Sequence, residues 1–198
     1  MAKEDIILGA GKLYYAAVGA TDPDETSVAY DGSWGGSWTS LGNTLGPARV
    51  TIEEDRKKVF VEQRLGPVKS RRTRQEAMIR TILAEHTGVN LALLWGGANT
   101  DTAAGASQKA YSEILAGGQP VPLEKRIGLE TVYVDSSGNK LPVRYFFHIC
   151  TMQPDGELAI DKANETGIPI LISVFADLTK AIGEELMKVQ IVTAPATS

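Results

Sequence analysis

A single cysteine, Cys150, stands in a chain of 198 residues, which excludes an internal disulfide and any cysteine-rich metal site. Histidine is nearly as scarce. His86 and His148 are the only two, and without ligating residues clustered beside either one, a structural or surface role is expected over a metal ligand. No apolar run approaches the roughly 20 residues that a bilayer-spanning helix needs. At the start, Met1-Ala2-Lys3-Glu4-Asp5 is followed by only Ile6, Ile7 and Leu8 before Gly9, too short an apolar core for a signal peptide. The chain is therefore expected to stay in the compartment where it is made and not to insert in a membrane. The parts of an enzyme are missing as well. There is no Gly-x-Ser-x-Gly and no cysteine with a histidine nearby in a loop. Cys150 and His148 lie two apart on a β-like stretch, so they are expected to share a face, but Phe146, Phe147 and Ile149 around them indicate packing. The carboxylate pairs Asp22/Asp24 and Glu184/Glu185 sit in turn-like sequence with no apolar pocket to separate their proton affinities. Gly9-Ala10-Gly11-Lys12 lacks the glycine five residues before Gly11, and Leu13 stands where Ser or Thr would hold a metal ion, so a phosphate loop is rejected. No catalytic activity, cofactor or metal is expected.

What is present is a globular composition: 43% hydrophobic and 22% charged residues. A chain of this length buries roughly 70% of the surface its unfolded form exposes, enough for one independent core. The net charge of −4 is unevenly spread. Glu53 to Arg74 holds 8 Lys/Arg against 4 Asp/Glu, a net of +4, so the remainder carries −8. Opposite fields on one molecule let copies attract one another. The segment reads as a hairpin contact arm, with Ala48, Val50 and Ile52 alternating into a charged turn, Glu53 to Lys58, that leads to Val59-Phe60-Val61. Its basic residues, Arg56, Lys57, Lys58, Arg64, Lys69, Arg71, Arg72 and Arg74, could also track nucleic-acid phosphates. Only Phe60 supplies an aromatic there and the chain is acidic, with a pI near 5.3, so a partner-facing arm is the preferred reading.

Leu8 to Gly19, aromatic and β-branched between glycines, reads as the first strand. Thr21 to Ser40 is turn chemistry with Trp34 and Trp38 embedded. So long a loop needs an anchor, either a partner or its own core, and tryptophan serves both. Gln75 to Glu85 fits helical and strand periods equally. Thr87 to Trp95 reads as a short helix, with Thr87 as N-cap and Gly96-Gly97 as the stop. Ala98 to Pro122 is a small, polar insertion with a turn of helix around Tyr111 to Leu115. Lys125 to Asp135 and Lys140 to Met152 form a long hairpin with one face in the core. Glu157 to Ile160, Ile168 to Ala176 and Leu186 to Val192 read as further strands, and the tail from Thr193 as frayed.

Gly11 to Ala20, the Asp22 to Glu25 loop, Trp38-Thr39-Ser40-Leu41-Gly42 feeding Val50-Thr51-Ile52, Leu83-Ala84-Glu85 followed by Asn90-Leu91, and the closing Ile168-Pro169-Ile170 resemble the major tail tube proteins of long-tailed, non-contractile bacteriophages. The resemblance spans most of the chain. It departs in the long insertion at Ala98 to Pro122 and in the more basic arm. It implies one domain over residues 1–198: mainly β, a β-sandwich or partial barrel with one flanking short helix and long loops, in which Gln75 to Glu85 is a strand. It further implies a virion protein assembled in the host cytoplasm as hexameric rings stacked into a tube. Its partners would be its own copies, tape-measure, tail-tip and tail-terminator proteins, and genomic DNA in transit. The residues agree with this in three ways: surplus strand edges can pair between subunits, the basic arm can meet an acidic neighbour, and an acidic body suits a conduit for DNA. The arm residues are expected at the contact between rings, and Trp34 and Trp38 at subunit contacts. Two rival readings are a nucleic-acid-binding module and another ring-forming protein of a contractile tail, a secretion tube or the head-tail junction.

Overall fold

Alternating apolar and polar residues along the second half of the chain build the sheet on which everything else rests. A computed structural model describes residues 11–25, 28–118, 121–135, 137–158, 160 and 165–194. The elements in order are β1 (Lys12–Ala16), β2 (Thr39–Ser40), β3 (Arg49–Val59), β4 (Lys69–Leu83), α1 (Gly88–Trp95), β5 (Ala98–Thr102), β6 (Tyr111–Leu115), β7 (Glu124–Val134), β8 (Lys140–Pro154), β9 (Ile168–Phe175) and β10 (Met187–Ile191). All pairings are antiparallel. The main sheet runs β2-β1-β7-β8-β9-β4-β3, with β10 also on β8, and β5–β6 is a separate ribbon. The chain is thus mainly β with one short helix, and its sheet does not close into a barrel.

β8 organises the sheet. One edge pairs with β7, while the other is shared, Val143–Phe147 with β10 and Ile149–Pro154 with β9. The sheet forks at His148, whose N–H donates to the Leu186 carbonyl at 3.2 Å. A bulge falls at the same place: Lys125 faces Cys150, but Ile127 faces Phe147. The extra residue on β8 reverses the alternation. Phe147 and Cys150 consequently both enter the main core, whereas His148 lines a cleft on the opposite side with Asp22 and Arg126. The expectation that His148 and Cys150 share a face is corrected by this bulge.

Both faces of the β7–β8 hairpin are buried, not one. On the first, Leu13, Ile127, Leu129 and Phe147 meet Ile79, Leu83, Ile170 and Ile172, with Leu93 and Leu94 of α1 closing one end. On the second, Tyr14, Ala16, Trp34, Trp38 and Phe146 form a smaller core beneath the long loop. Tyr14 and Trp34 stack with centroids 4.2 Å apart, and Trp38 meets Trp34 edge-on at 5.1 Å. Gly128 makes this possible, because a Cβ there would intrude into the Trp34 ring. The loop is also pinned by polar groups. Trp38 Nε1 donates to the Thr21 carbonyl at 2.7 Å. Arg144 and Glu130, opposite each other on β8 and β7 and both fully buried, pair at 3.0 Å.

The helix forms as its caps dictate: Thr87 Oγ1 accepts the Asn90 N–H at 3.2 Å, and Gly96 takes the left-handed conformation at φ 70°. Gln75 to Leu83 is strand, since β3 pairs with β4 as far as Arg80 and β9 pairs with it from Ala77 to Leu83, so that each residue has at least one partner strand. Three local expectations are corrected. Tyr111 to Leu115 is strand β6, paired with β5 in place of a helical turn. The charge run Glu53 to Lys58 lies within β3, and the reversal comes later, over 60–68, where the Arg64 N–H donates to the Val61 carbonyl and the Val68 N–H to the Val59 carbonyl. Glu157, Leu158 and Ile160 are not strand, because β8 and β4 already occupy both edges of β9. Leu8 to Ala10 of the expected first strand, and residues 195–198 of the tail, lie outside the described residues.

Candidate functional site

β4 pairs with β9 from Ala77 to Leu83 and no further. From Glu76 outward to Lys69 its partner is β3 alone, and β3 has no other strand beside it among the described residues. The result is a free two-stranded ribbon, Glu53–Val59 against Lys69–Glu76, about 23 Å long at roughly 3.3 Å per residue. Such a ribbon is at best marginally stable in water without further packing. Every described residue of the arm from Arg56 to Arg74 is exposed. Its tip is apolar: Phe60 is 62% and Leu65 fully exposed, with Val61 and Val68 beside them.

The basic residues singled out from the sequence divide into two sets. Arg56 and Arg72 both pair with Glu54, each at 2.8 Å, and Arg74 pairs with Glu76 and more distantly with Asp55. The Arg56 hydrogen bond, with Arg72 behind it, holds the Glu54 carboxyl below its usual range. Lys57, Lys58, Arg64, Lys69 and Arg71 make no ion pair with any described residue. Lys57 stands directly opposite Arg71, and like charges in that position repel. The break in register between Asp55 and Arg56 leaves Thr73 without a cross-strand partner, and its hydroxyl donates to the Asp55 carbonyl at 3.2 Å. Beyond this bulge, strand alternation puts Lys57, Arg71 and Lys69 on the face opposite Arg56 and Arg72. The arm thus presents one face on which Glu54 is shared by Arg56 and Arg72, with Lys58 unpaired beside them, and one face, beyond the bulge, of wholly unpaired positive charge.

Trp34 and Trp38 are placed differently. Both fill their own subunit's second core, with 5% and 9% exposed, which is the alternative the loop sequence left open. Little of either ring remains for a neighbour. The apolar tip is not expected from the sequence, in which Val59-Phe60-Val61 reads as the second extended segment of the hairpin. Nor is the Glu130–Arg144 pair, although counting outward from the Asp135 to Asn139 turn brings these two residues opposite each other.

A long unsupported ribbon with a charged face and an apolar tip is a device for contacting another molecule. No individual curated protein matches the sequence. The family model described as phage tail tube protein matches residues 2–196, nearly the whole chain, and this mainly β subunit with its projecting arm accordingly belongs to the phage tail tube protein family, a structural component of the virion tail that assembles with itself into a tube.

Proposed function

We propose that this chain is the repeating subunit of a non-contractile tail tube: copies close sideways into hexameric rings, the rings stack head to tail, and the bore passes the genome into the host cell. Tape-measure, tail-tip and tail-terminator proteins would define the two ends and the length. The observation that carries this reading is the free ribbon from Glu53 to Glu76. A ribbon with two open edges and unbalanced charge gains stability only by docking, and a head-to-tail contact repeated by symmetry generates a filament. The exposed outer edge of β3 supports the sideways step, since ring closure by strand pairing removes such edges.

Negative-stain microscopy of the purified protein tests the assembly, with tubes expected. The arm is tested by reversing Arg71, Arg72 and Arg74 to Glu, and more cleanly by Lys57→Glu with Arg71→Glu, which leaves the Glu54 and Glu76 pairs intact. The expected product is a folded subunit that forms no tubes; normal tubes from it would remove the arm from the mechanism. Salt-dependent retardation of duplex DNA by the unassembled subunit would instead favour a nucleic-acid-binding role.

A further inference from the structure

We infer that the surface receiving the arm is the opposite end of a second copy, built by α1 and the outer face of the β5–β6 ribbon; the inference rests on the tube reading above. β4 is one strand with the arm at its Lys69 end. Its Leu83 end leads through Ala84 to Thr87 into α1 and on to β5–β6. In a head-to-tail stack the arm end of one copy meets this end of the next. The connection between β8 and β9 closes the same end, where Ile168 pairs with Leu83 and the Thr166 carbonyl lies 3.1 Å from His86 Nε2.

Charge distinguishes the two ends. The described residues of 84–124 and 155–167 carry seven Asp/Glu, among them Glu85, Glu113, Glu124 and Glu157, against one lysine, Lys109. With Arg80, which pairs with Asp155, and Glu76, which pairs with Arg74, included, a net of −5 still faces, across a stacking contact, a net of +3 on the arm from Glu53 to Glu76. The field is complementary in the head-to-tail orientation and repulsive in either like-to-like one.

Shape and polarity match in finer detail. Asn99 and Ser112 pack against the backbone of Gly88 at the start of α1, which leaves no room for a Cβ there. Alternation therefore turns Tyr111, Glu113 and Leu115 to the outer face, where Tyr111 and Leu115 are 52% and 75% exposed. A carboxylate set between two exposed apolar side chains is the counterpart of the Lys57–Arg71 pair beside an apolar tip. Docking supplies the anion that relieves the repulsion between Lys57 and Arg71 and covers Phe60 and Leu65. The β5–β6 part of the insertion at Ala98 to Pro122 thereby acquires a role as the socket for the arm.

Two measurements test this. Glu113→Lys, an exposed substitution whose folding is checked by circular dichroism, should raise the concentration needed for tube formation about tenfold. Adding Lys57→Glu and Arg71→Glu in the same chain should restore tubes. Separately, a size-tagged Leu115→Cys chain mixed with an untagged Leu65→Cys chain should give an oxidised heterodimer on assembly, free of interference from Cys150, which is buried. Normal tubes from Glu113→Lys, or no heterodimer within formed tubes, would overturn the socket. The tube reading survives either result provided Lys57→Glu with Arg71→Glu still abolishes tubes. Failure of the unaltered protein to assemble would sink both.

Discussion

Arg144→Met isolates one fully buried charge and is the sharpest test of how the long loop is held. Arg144 and Glu130 are both 0% exposed, with Nε and Oε1 3.0 Å apart. Arg144 also donates to the Val28 carbonyl at 2.5 Å and lies over the Trp34 ring, 5.7 Å from its centroid. Without Arg144, Glu130 keeps, among the described residues, the Trp34 Nε1–H and the Asp31 N–H, both at 3.3 Å. Leaving one member of a buried pair uncompensated costs about 3–5 kcal/mol. At roughly 2–4 °C per kcal/mol for a chain of this size, the midpoint should fall by about 6–20 °C. Arg144→Met with Glu130→Leu removes both charges. Arg144 Nη1 has no hydrogen-bond partner among the described residues, so the native pair is imperfectly satisfied, and the double variant should recover most of the loss. The assay is thermal and urea unfolding of the unassembled subunit, both followed by tryptophan emission. A single variant within about 1 kcal/mol of the parent, or a double variant no better than the single, would refute the claim that pairing, and not mere packing, holds the loop.

Three further outcomes are expected. Gly128→Ala pushes a methyl group into the Trp34 ring, so it should cost roughly 1–3 kcal/mol and red-shift the emission; an unshifted spectrum would count against the packing described. His148 faces Arg126, Lys180, Asp177 and Asp22, and its pKa is lowered, first by burial and then by Arg126. The unfolded chain therefore takes up the proton first, and stability should fall as pH drops from about 6.5 toward the depressed folded value. His148→Gln should flatten that slope in thermal melts. Finally, Trp95 is 43% exposed at the end of α1, so any emission shift on assembly should vanish in Trp95→Phe; a shift that persists would place the contact elsewhere.

Features written in neighbouring residues were legible from the sequence. Thr87 and Gly96 bracket α1 because capping is settled within a few residues of the helix end. The Asp135 to Asn139 turn sets the β7–β8 hairpin because its register follows from the turn. Charge counting alone identified the arm. Other features depended on which segments met. Gln75 to Leu83 fits two periods, and only pairing with β3 along its first part and β9 along its second makes it strand. Glu53 to Lys58 has poor strand propensity, yet pairing with Lys69 to Glu76 overrides it. Tyr111 to Leu115 is a strand only because Ala98 to Thr102 lies beside it. The single extra residue near His148 flips a face that alternation would have assigned the other way.

The sequence by itself thus determined the fold class, the helix and the sign of charge on the arm, since these depend on composition and near neighbours. The tertiary structure decided that both loop tryptophans turn inward, that the arm stands free, and that the acidic segments gather at the far end of β4. Those are matters of long-range pairing, where the partner lies tens of residues away and no local pattern names it.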